Sequence, residues 1–509
     1  MKAQAEACYE VSFEAANKVG GIYTVIKSKV LLMQQNYPEY YLIGPYFEGR
    51  SEGEVEFEEA PDHLKPVFDG LKNEGIFCRY GKWQVDGEPQ TILIDSSHLR
   101  SAVNDWKSFW WENYQIDSMT AAWDFEEPML WSTAVGRLLQ RIAETRPETR
   151  MVTHFHEWLS GFGLLWLKHE NIPVGKVFTT HATMLGRSLA GSGRDLYTEL
   201  PNLDPDTEAR NQGVIDKFST ERACALHADV FTTVSESTAV EAEKILGRRP
   251  EVLVLNGLDS SIFPTVEDAA ILHRETRDKM RSFFSYYFFP YADQHFDLER
   301  SLAFFLVGRY EYRNKGIDLY LEALAKLNET LKAENNDRTI VAFVWVPAGV
   351  GGTRKELTES KNYYKRIRGY VEWKDDEIKQ RLVQSIVSQR DITAESLLSD
   401  DFLKSIKKDM RRFHRDGNPP VSTHYLHDEA NDPIVQNCQR LGLTNQSTDR
   451  VKVVFYPVYL DGDDGLLNLS YYDAMAACHL GVFPSYYEPW GYTPIEAAAM
   501  GVPAVTTDL

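Results

Sequence analysis

Cysteine is scarce in this chain, and its five copies are scattered. Cys8, Cys78, Cys224, Cys438 and Cys478 show neither paired nor metal-type spacing. That pattern gives no disulfide framework and no metal knuckle, and free thiols in a reducing cytoplasm are expected. Long apolar runs are missing too: nothing approaches the ~18 residues of a membrane span. The opening MKAQAEACYEVSFEAA lacks the charged segment and apolar core of a secretory signal. There is no basic surplus. The 55 Lys and Arg face 75 Asp and Glu, a net charge of −20, which argues against a nucleic-acid partner. Any anionic ligand must therefore find a locally positive cleft against an unfavourable global field. No Walker loop, nucleophile elbow or kinase loop occurs, which disfavours P-loop and hydrolase chemistry. Repeats and low-complexity tracts are absent as well.

What is present is ordinary globular composition, 43% hydrophobic and 26% charged over 509 residues, enough for a large core and two or three domain-sized units. Short β-branched runs at 9–13, 41–43, 151–155, 176–180, 230–234 and 252–255 alternate with helical patterns such as 21–35, 158–169 and 238–246. That order implies parallel sheets with helices on both faces. The pattern restarts with a strand at 302–306, a helix at 317–331 and a strand at 340–346, then continues through 452–456, 471–478, 480–483, 494–500 and 502–506. The fold class is α/β: two doubly wound, Rossmann-like domains in series, 1–270 and 271–509. The join falls near 257–300, where the aromatic run 283–291 is expected to pack against both halves. From 352 to 445 the alternation stops. Ile367, Val371, Ile378, Leu382 and Ile386 fall near one helical face, as do Phe402, Ile406, Met410 and Phe413. An inserted helical hairpin is expected, its stripe buried on its own domain or, as the favoured alternative, on another subunit. The final VPAVTTDL reads as a strand and the start of a loop, so the natural end is expected beyond 509.

Four stretches carry candidate chemistry. Asn17–Tyr23, NKVGGIY, follows the first strand and opens a helix. Gly20 and Gly21 there give a tight turn or let a ligand approach the backbone. His154 and His156 in HFHEW share one face of a strand. With His181 from TTHATMLGR they could make three donors, but a zinc site is disfavoured. They read as structural histidines or as hydrogen-bonding partners of sugar hydroxyls, with Arg187 supplying positive charge. In GRYEYRNKG, Arg309, Arg313 and Lys315 follow a strong apolar strand. The run is a solvated face or, better in so acidic a chain, a pyrophosphate site in which each charge-assisted hydrogen bond contributes about 1.5–3 kcal/mol. In YYEPWGYTPIE, Thr493 and Glu496 have capping-box spacing with Pro494 at the first helical position. Alternatively, the helix start beyond Gly491 takes a phosphate while Glu488 and Glu496 accept hydrogen bonds from a polyol.

Taken together, KVGGIYTV, HFHEW, TTHATMLGR, ADVFTTVSE, NGL, GRYEYRNKG and HLGVFPSYYEPWGYTPIE resemble the glycogen synthases of the animal and fungal type and their archaeal and bacterial relatives, from about residue 8 to 509. The resemblance implies a GT-B fold whose two Rossmann-like domains face a cleft. It implies transfer of glucose from UDP-glucose to the non-reducing end of an α-1,4-glucan with retention. Starch synthases that prefer ADP-glucose carry Lys-Thr-Gly-Gly where this chain has Lys18-Val19-Gly20-Gly21, which favours UDP-glucose. Arg309 and Lys315 match the family's phosphate-binding cations, Arg187 a further arginine of the catalytic site, and His181 a residue at the donor glucose. Gly491, Tyr492 and Thr493 match diphosphate donors, and Tyr471 matches a tyrosine that stacks on uracil. Glu488 and Glu496 match a glutamate pair, near the donor sugar and the ribose respectively. Lys18, Gly20 and Gly21 complete the donor-binding set, and Asn256 takes no catalytic role. No metal or other cofactor is implied. A front-face displacement is preferred to a covalent intermediate on Glu488. The resemblance further implies a homo-oligomer, a tetramer, with a glycogenin-like primer as a candidate partner. The competing readings are a glucosyltransferase using ADP-glucose or another acceptor, and a glucan-binding scaffold without turnover. The Lys404, Lys407, Lys408, Arg411 and Arg412 cluster is read as a solvated helix face.

Overall fold

The computed structural model describes residues 3–507. They form two compact units. The first runs to Ser260 and also takes in Tyr487–Trp490. The second comprises Ser261–Tyr486 and the chain from Gly491.

The first unit is built on nine strands: β1 (Ala7–Val11), β2 (Glu39–Pro45), β3 (Val55–Phe57), β4 (Phe77–Trp83), β5 (Gln90–Asp95), β6 (Met151–His156), β7 (Gly175–Thr180), β8 (Val230–Thr233) and β9 (Val252–Leu253). Their order is β3-β4-β5-β2-β1-β6-β7-β8-β9. The pairs are parallel except at the β3-β4-β5 edge. That antiparallel edge is not legible in the sequence pattern. Side chains alternate between two cores: Tyr9 and Val11 enter one, Cys8 the other, and Ile43 and Leu42 part in the same way. Both faces of the sheet are therefore covered, so successive residues of central strands such as β1 and β2 are buried whichever face they point to.

The second unit holds β10 (Leu302–Val307), β11 (Ile340–Trp345), β12 (Val350–Thr353), β13 (His424–Leu426), β14 (Val451–Tyr456), β15 (Leu480–Phe483) and β16 (Ala504–Thr506). A parallel five-stranded sheet has the order β14-β11-β10-β15-β16, and β12 pairs antiparallel with β13 alone. Val341, Phe343 and Trp345 enter one core, Ile340, Ala342 and Val344 the other. This is the doubly wound α/β class expected from the sequence.

Three expectations need correction. The division falls at 260/261 rather than 270, and 487–490 leaves the second unit. The reason lies in the helix Val266–Phe288, whose Phe283, Phe284, Tyr287 and Phe288 are buried in the second unit's core. The aromatic run therefore serves one core. The insertion is not a hairpin. Helices Lys355–Trp373, Asp375–Val387 and Asp400–Phe413 are framed by the β12-β13 pair, and Pro433–Arg440 already returns Ile434, Val435 and Cys438 to the core. Phe402 and Ile406 are covered, whereas Val371, Trp373, Val383, Ile386 and Val387 stay exposed. No described helix is long and apolar enough to cross a membrane.

Candidate functional site

In the second unit β10 and β15 are neighbours, and the sheet's order runs outward from them in both directions. Such a switch point leaves a crevice at the carboxyl ends of the two strands, where open α/β sheets bind ligands. The loop after β10 carries Arg309, Arg313 and Lys315, and the loop after β15 leads to Gly491. The two loops abut. The Tyr486 N–H donates to the Asn314 carbonyl at 2.9 Å, and the Arg313 guanidinium stacks on the Tyr486 ring at 3.7 Å while pairing with Asp318 at 2.5 Å. Arg313 is thus a brace. Arg309 is half exposed and pairs with Glu311 of the same loop at 2.8 Å. The stem of Lys315 runs beneath Gly308, 3.3 Å from where a Cβ would stand.

Gly316 explains how closely these loops approach. Its φ is +63°, and a Cβ built on it would lie 1.9 Å from the Pro484 carbonyl oxygen. Neither the conformation nor the space admits a side chain.

The helix beyond Gly491 corrects the capping reading. It spans Tyr492–Ala499, with Gly491 as the residue before it at φ +78° and no side-chain cap. Thr493 is its second residue and Pro494 its third, so the capping box does not form. Glu496 turns inward instead: its two oxygens accept the hydroxyls of Tyr471 at 2.8 Å and Tyr472 at 3.1 Å. Burial raises its pKa against the lowering by these hydroxyls. The tip of this helix keeps the character of an anion site.

In the first unit the register places Glu10 of β1 beside His154 of β6, and His156 follows two residues later on the same face. Glu10 is fully buried. One of its oxygens accepts from His156 Nε2 at 2.6 Å and also pairs with Lys29. The other accepts the Tyr40 hydroxyl at 2.6 Å. His156 Nδ1 in turn meets His181 Nε2 at 2.9 Å, just past β7. His154 turns to Thr179 at 2.7 Å. Glu10, His154 and His156 are close enough together to make a three-donor metal set. Lys29, however, already pairs with the Glu10 oxygen that His156 meets, and the other Glu10 oxygen is taken up by the Tyr40 hydroxyl.

The segment from Thr180 to Arg187 is held by three buried acids. Glu157, in the left-handed region at φ +63°, accepts the His181 N–H at 2.8 Å. Glu221 accepts the Thr180 hydroxyl at 2.5 Å and the Met184 N–H at 3.0 Å. Glu241 accepts the hydroxyls of Thr183 at 2.8 Å, Tyr197 at 2.7 Å and Tyr487 at 3.0 Å. Burial raises the pKa of Glu157 against the pull of the Arg187 charge. Glu221 is pushed up to about 8 by burial and by repulsion from Glu157. The sign follows. A carboxyl raised above its unfolded value contributes stability that is complete below that value and is lost as pH rises through the folded one. Glu221→Gln, which cannot ionise, is therefore expected to lose less thermal stability than the native chain between about pH 5 and 8.5. Melting points measured across that range check this.

The other expected residues are placed as follows. Gly20 and Gly21 stand at the start of the helix Gly21–Asn36, where the Gly20 and Tyr23 N–H groups donate to the Glu14 carboxylate at 2.8 and 2.9 Å. An internal anion thus sits where a ligand was expected. Lys18 is exposed, its Nζ 6.0 Å from the Tyr23 ring centroid. Glu488 is half-buried within the 487–490 segment of the first unit. Tyr492 and Thr493 occupy the helix tip. Sequence reasoning missed Glu10, Lys29, Glu221, Glu241 and Tyr487. The available signal was a lone acid in the apolar run CYEVSF, together with acids on the apolar faces of FSTERACAL and AVEAEKIL.

Comparison with known proteins adds a family. The family model described as glycogen synthase matches residues 10–509. Rat (Rattus norvegicus) liver glycogen [starch] synthase is 36% identical over 503 residues, covering 98% of this chain and 71% of the rat protein. Yeast (Saccharomyces cerevisiae) glycogen [starch] synthase isoform 1 is 38% identical over 522 residues, covering 98% and 73%. Among solved structures, the catalytic domain of Arabidopsis thaliana starch synthase IV, bound to ADP and acarbose, aligns over 99% of this chain and 83% of that one with a TM-score of 0.49 and 13% identity.

Proposed function

Because the chain belongs to the glycogen synthase family, we propose that it transfers glucose from UDP-glucose to the non-reducing end of an α-1,4-glucan with retention of configuration. The observation that carries this reading is the loop pair at the β10-β15 switch point, where Arg309, Lys315 and the helix tip beyond Gly491 supply positive potential in a chain of net charge −20. A nucleoside diphosphate leaving group matches that chemistry. Its developing charge falls on two cations and backbone N–H groups, so the reaction runs without a metal ion. Tyr471 is assigned to the uracil and Glu496, fixed by two tyrosine hydroxyls, to the ribose. His181 and Arg187 are assigned to the transferred glucose.

In the front-face route the bond from the anomeric carbon to the diphosphate oxygen breaks with its electron pair leaving on the diphosphate. The acceptor hydroxyl bonds to the same face of that carbon, and its proton passes to the departing phosphate oxygen. A covalent route would need the Glu488 carboxylate about 3–3.5 Å behind the anomeric carbon. The unpaired cysteines support placement in the cytoplasm. The exposed apolar residues of Lys355–Trp373 and Asp375–Val387 support assembly with further copies of the chain.

Labelled UDP-glucose and ADP-glucose, offered side by side with glycogen in the presence of a chelator, test the reading. Label is expected in the polymer from UDP-glucose and released by α-glucosidase. Incorporation only from ADP-glucose overturns the donor. Incorporation from neither overturns the activity.

A further inference from the structure

The chain of contacts from Lys29 through Glu10 and His156 to His181 dictates where protons reside. Glu10 is buried, yet the Lys29 ammonium and the His156 hydrogen bond hold its carboxyl well below the usual range. An ionised carboxylate only accepts hydrogen bonds, so the 2.6 Å contact requires the proton on His156 Nε2. Burial keeps His156 neutral, which leaves its Nδ1 without a proton and able only to accept. The 2.9 Å contact between His156 Nδ1 and His181 Nε2 is then donated by His181. Burial and the neighbouring His156 and Lys29 keep His181 neutral too, so its Nδ1 is a bare acceptor. Each ring follows from the one before, and the order starts at an acid in the middle of β1. The backbone of His181 is fixed independently, by Glu157 at 2.8 Å. The imidazole thus lies in a set plane, in a set tautomer, with one lone pair unspent by this chain of bonds.

We propose that Glu10 and His156 are positioning residues that hold His181 as its Nε2–H tautomer, so that His181 Nδ1 accepts a hydrogen bond from a hydroxyl of the transferred sugar. The last clause rests on the transfer reaction proposed above, whereas the tautomer does not. An Nδ1–H tautomer would meet the same sugar hydroxyl as a donor and would break the bond to His156. Lys29 completes the arrangement by keeping Glu10 charged, and Tyr40 occupies the carboxylate oxygen that His156 leaves. The two groups differ from the cations of the second unit in acting through another residue rather than on the diphosphate.

The test is the 15N spectrum of the full chain labelled at histidine, with His181→Asn used to identify the His181 resonances. The native chain is expected to show His181 protonated at Nε2 and bare at Nδ1, and protonation at Nδ1 overturns the proposal. His156→Phe keeps a ring in the buried site but accepts no hydrogen bond. It is expected to release His181 into mixed tautomers and to lower kcat about tenfold, with the KM for UDP-glucose within about threefold. Glu10→Gln presents an amide that can donate as well as accept toward His156, and is expected to mix the two tautomers and lower kcat, though less than His156→Phe does. A Glu10→Gln chain with the native tautomer and native kcat contradicts the part given to Glu10. A His156→Phe chain that retains the Nε2–H tautomer, or that loses it with kcat unchanged, contradicts the assignment. Should that variant not fold, the native spectrum decides alone. Should the native chain transfer no glucose, the proposed reaction fails while the tautomer is still read.

Discussion

Lys315→Ala is expected to lower kcat for glucosyl transfer by about 10²–10³, with little change in the KM for glucan. Removing one preorganised group that stabilises developing charge typically costs that much, and the native Lys315 stem is already set beneath Gly308. Arg309→Ala is expected to fall in the same range, although its half-exposed side chain must also leave Glu311. The double variant should lose less than the product of the two, because both charges act on one diphosphate. Lys315→Arg should recover only part of the rate, since a planar guanidinium on a longer stem does not reproduce a compact ammonium. Steady-state kinetics with UDP-glucose and glycogen check all four. A Lys315→Ala enzyme within a factor of three of native would place the diphosphate elsewhere.

Gly316→Ala is expected to be nearly as damaging while removing no functional group. The left-handed backbone costs a non-glycine residue about 1–2 kcal/mol. The added Cβ would also overlap the Pro484 carbonyl oxygen, which is backbone and has no rotamer to escape into. The loop bearing Arg309 and Lys315 must then part from the end of β15. We expect a loss of stability of roughly 1–3 kcal/mol and a fall in kcat of at least about 10², the latter because small displacements of positioned groups cost that much. Gly70→Ala, in the helix Lys65–Lys72 where nothing lies near the added methyl, is the matched control. It should be neutral or stabilising by up to about 1 kcal/mol. Melting curves and kinetics on the two variants separate local strain from a general intolerance of alanine.

The parallel strands were legible because their signal is local. VTHFH, KVFTT and AFFLV are short runs rich in β-branched and aromatic residues, as strands favour, and each precedes a helical pattern. The β3-β4-β5 edge was not legible, since β3 has only three residues, β4 (FCRYGKW) mixes polar and aromatic residues, and antiparallel pairing is set by neighbours that the local pattern does not show. The helix Val266–Phe288 escaped notice because its first half is charged and its aromatic half reads as a linker until there is a sheet beneath it. The capping box at Thr493 and Glu496 failed for a physical reason. Gly491 in the left-handed region starts the helix two residues early, and two tyrosine hydroxyls, 24 and 25 positions upstream, compete for the glutamate. The placement of Arg309 and Lys315 on a loop at the end of a strand was legible because they follow the strong apolar run of β10, and their ligand is a matter for the experiments above. Arg313 looked equivalent to them, and only the stack on Tyr486 shows it to be a brace. The glutamates around 180–187 were hidden because an acid on the apolar face of a helix looks like noise until its hydrogen-bonding partners are known.

The central claim is that the loops after β10 and β15 bind a nucleoside diphosphate. A crystal structure of the chain soaked with UDP tests it most directly. The account expects diphosphate density bonded to Arg309 and Lys315 and capping the helix that begins at Tyr492. Diphosphate bound elsewhere, for instance displacing Glu14 at the Gly20 turn while Arg309 and Lys315 face solvent, would contradict it.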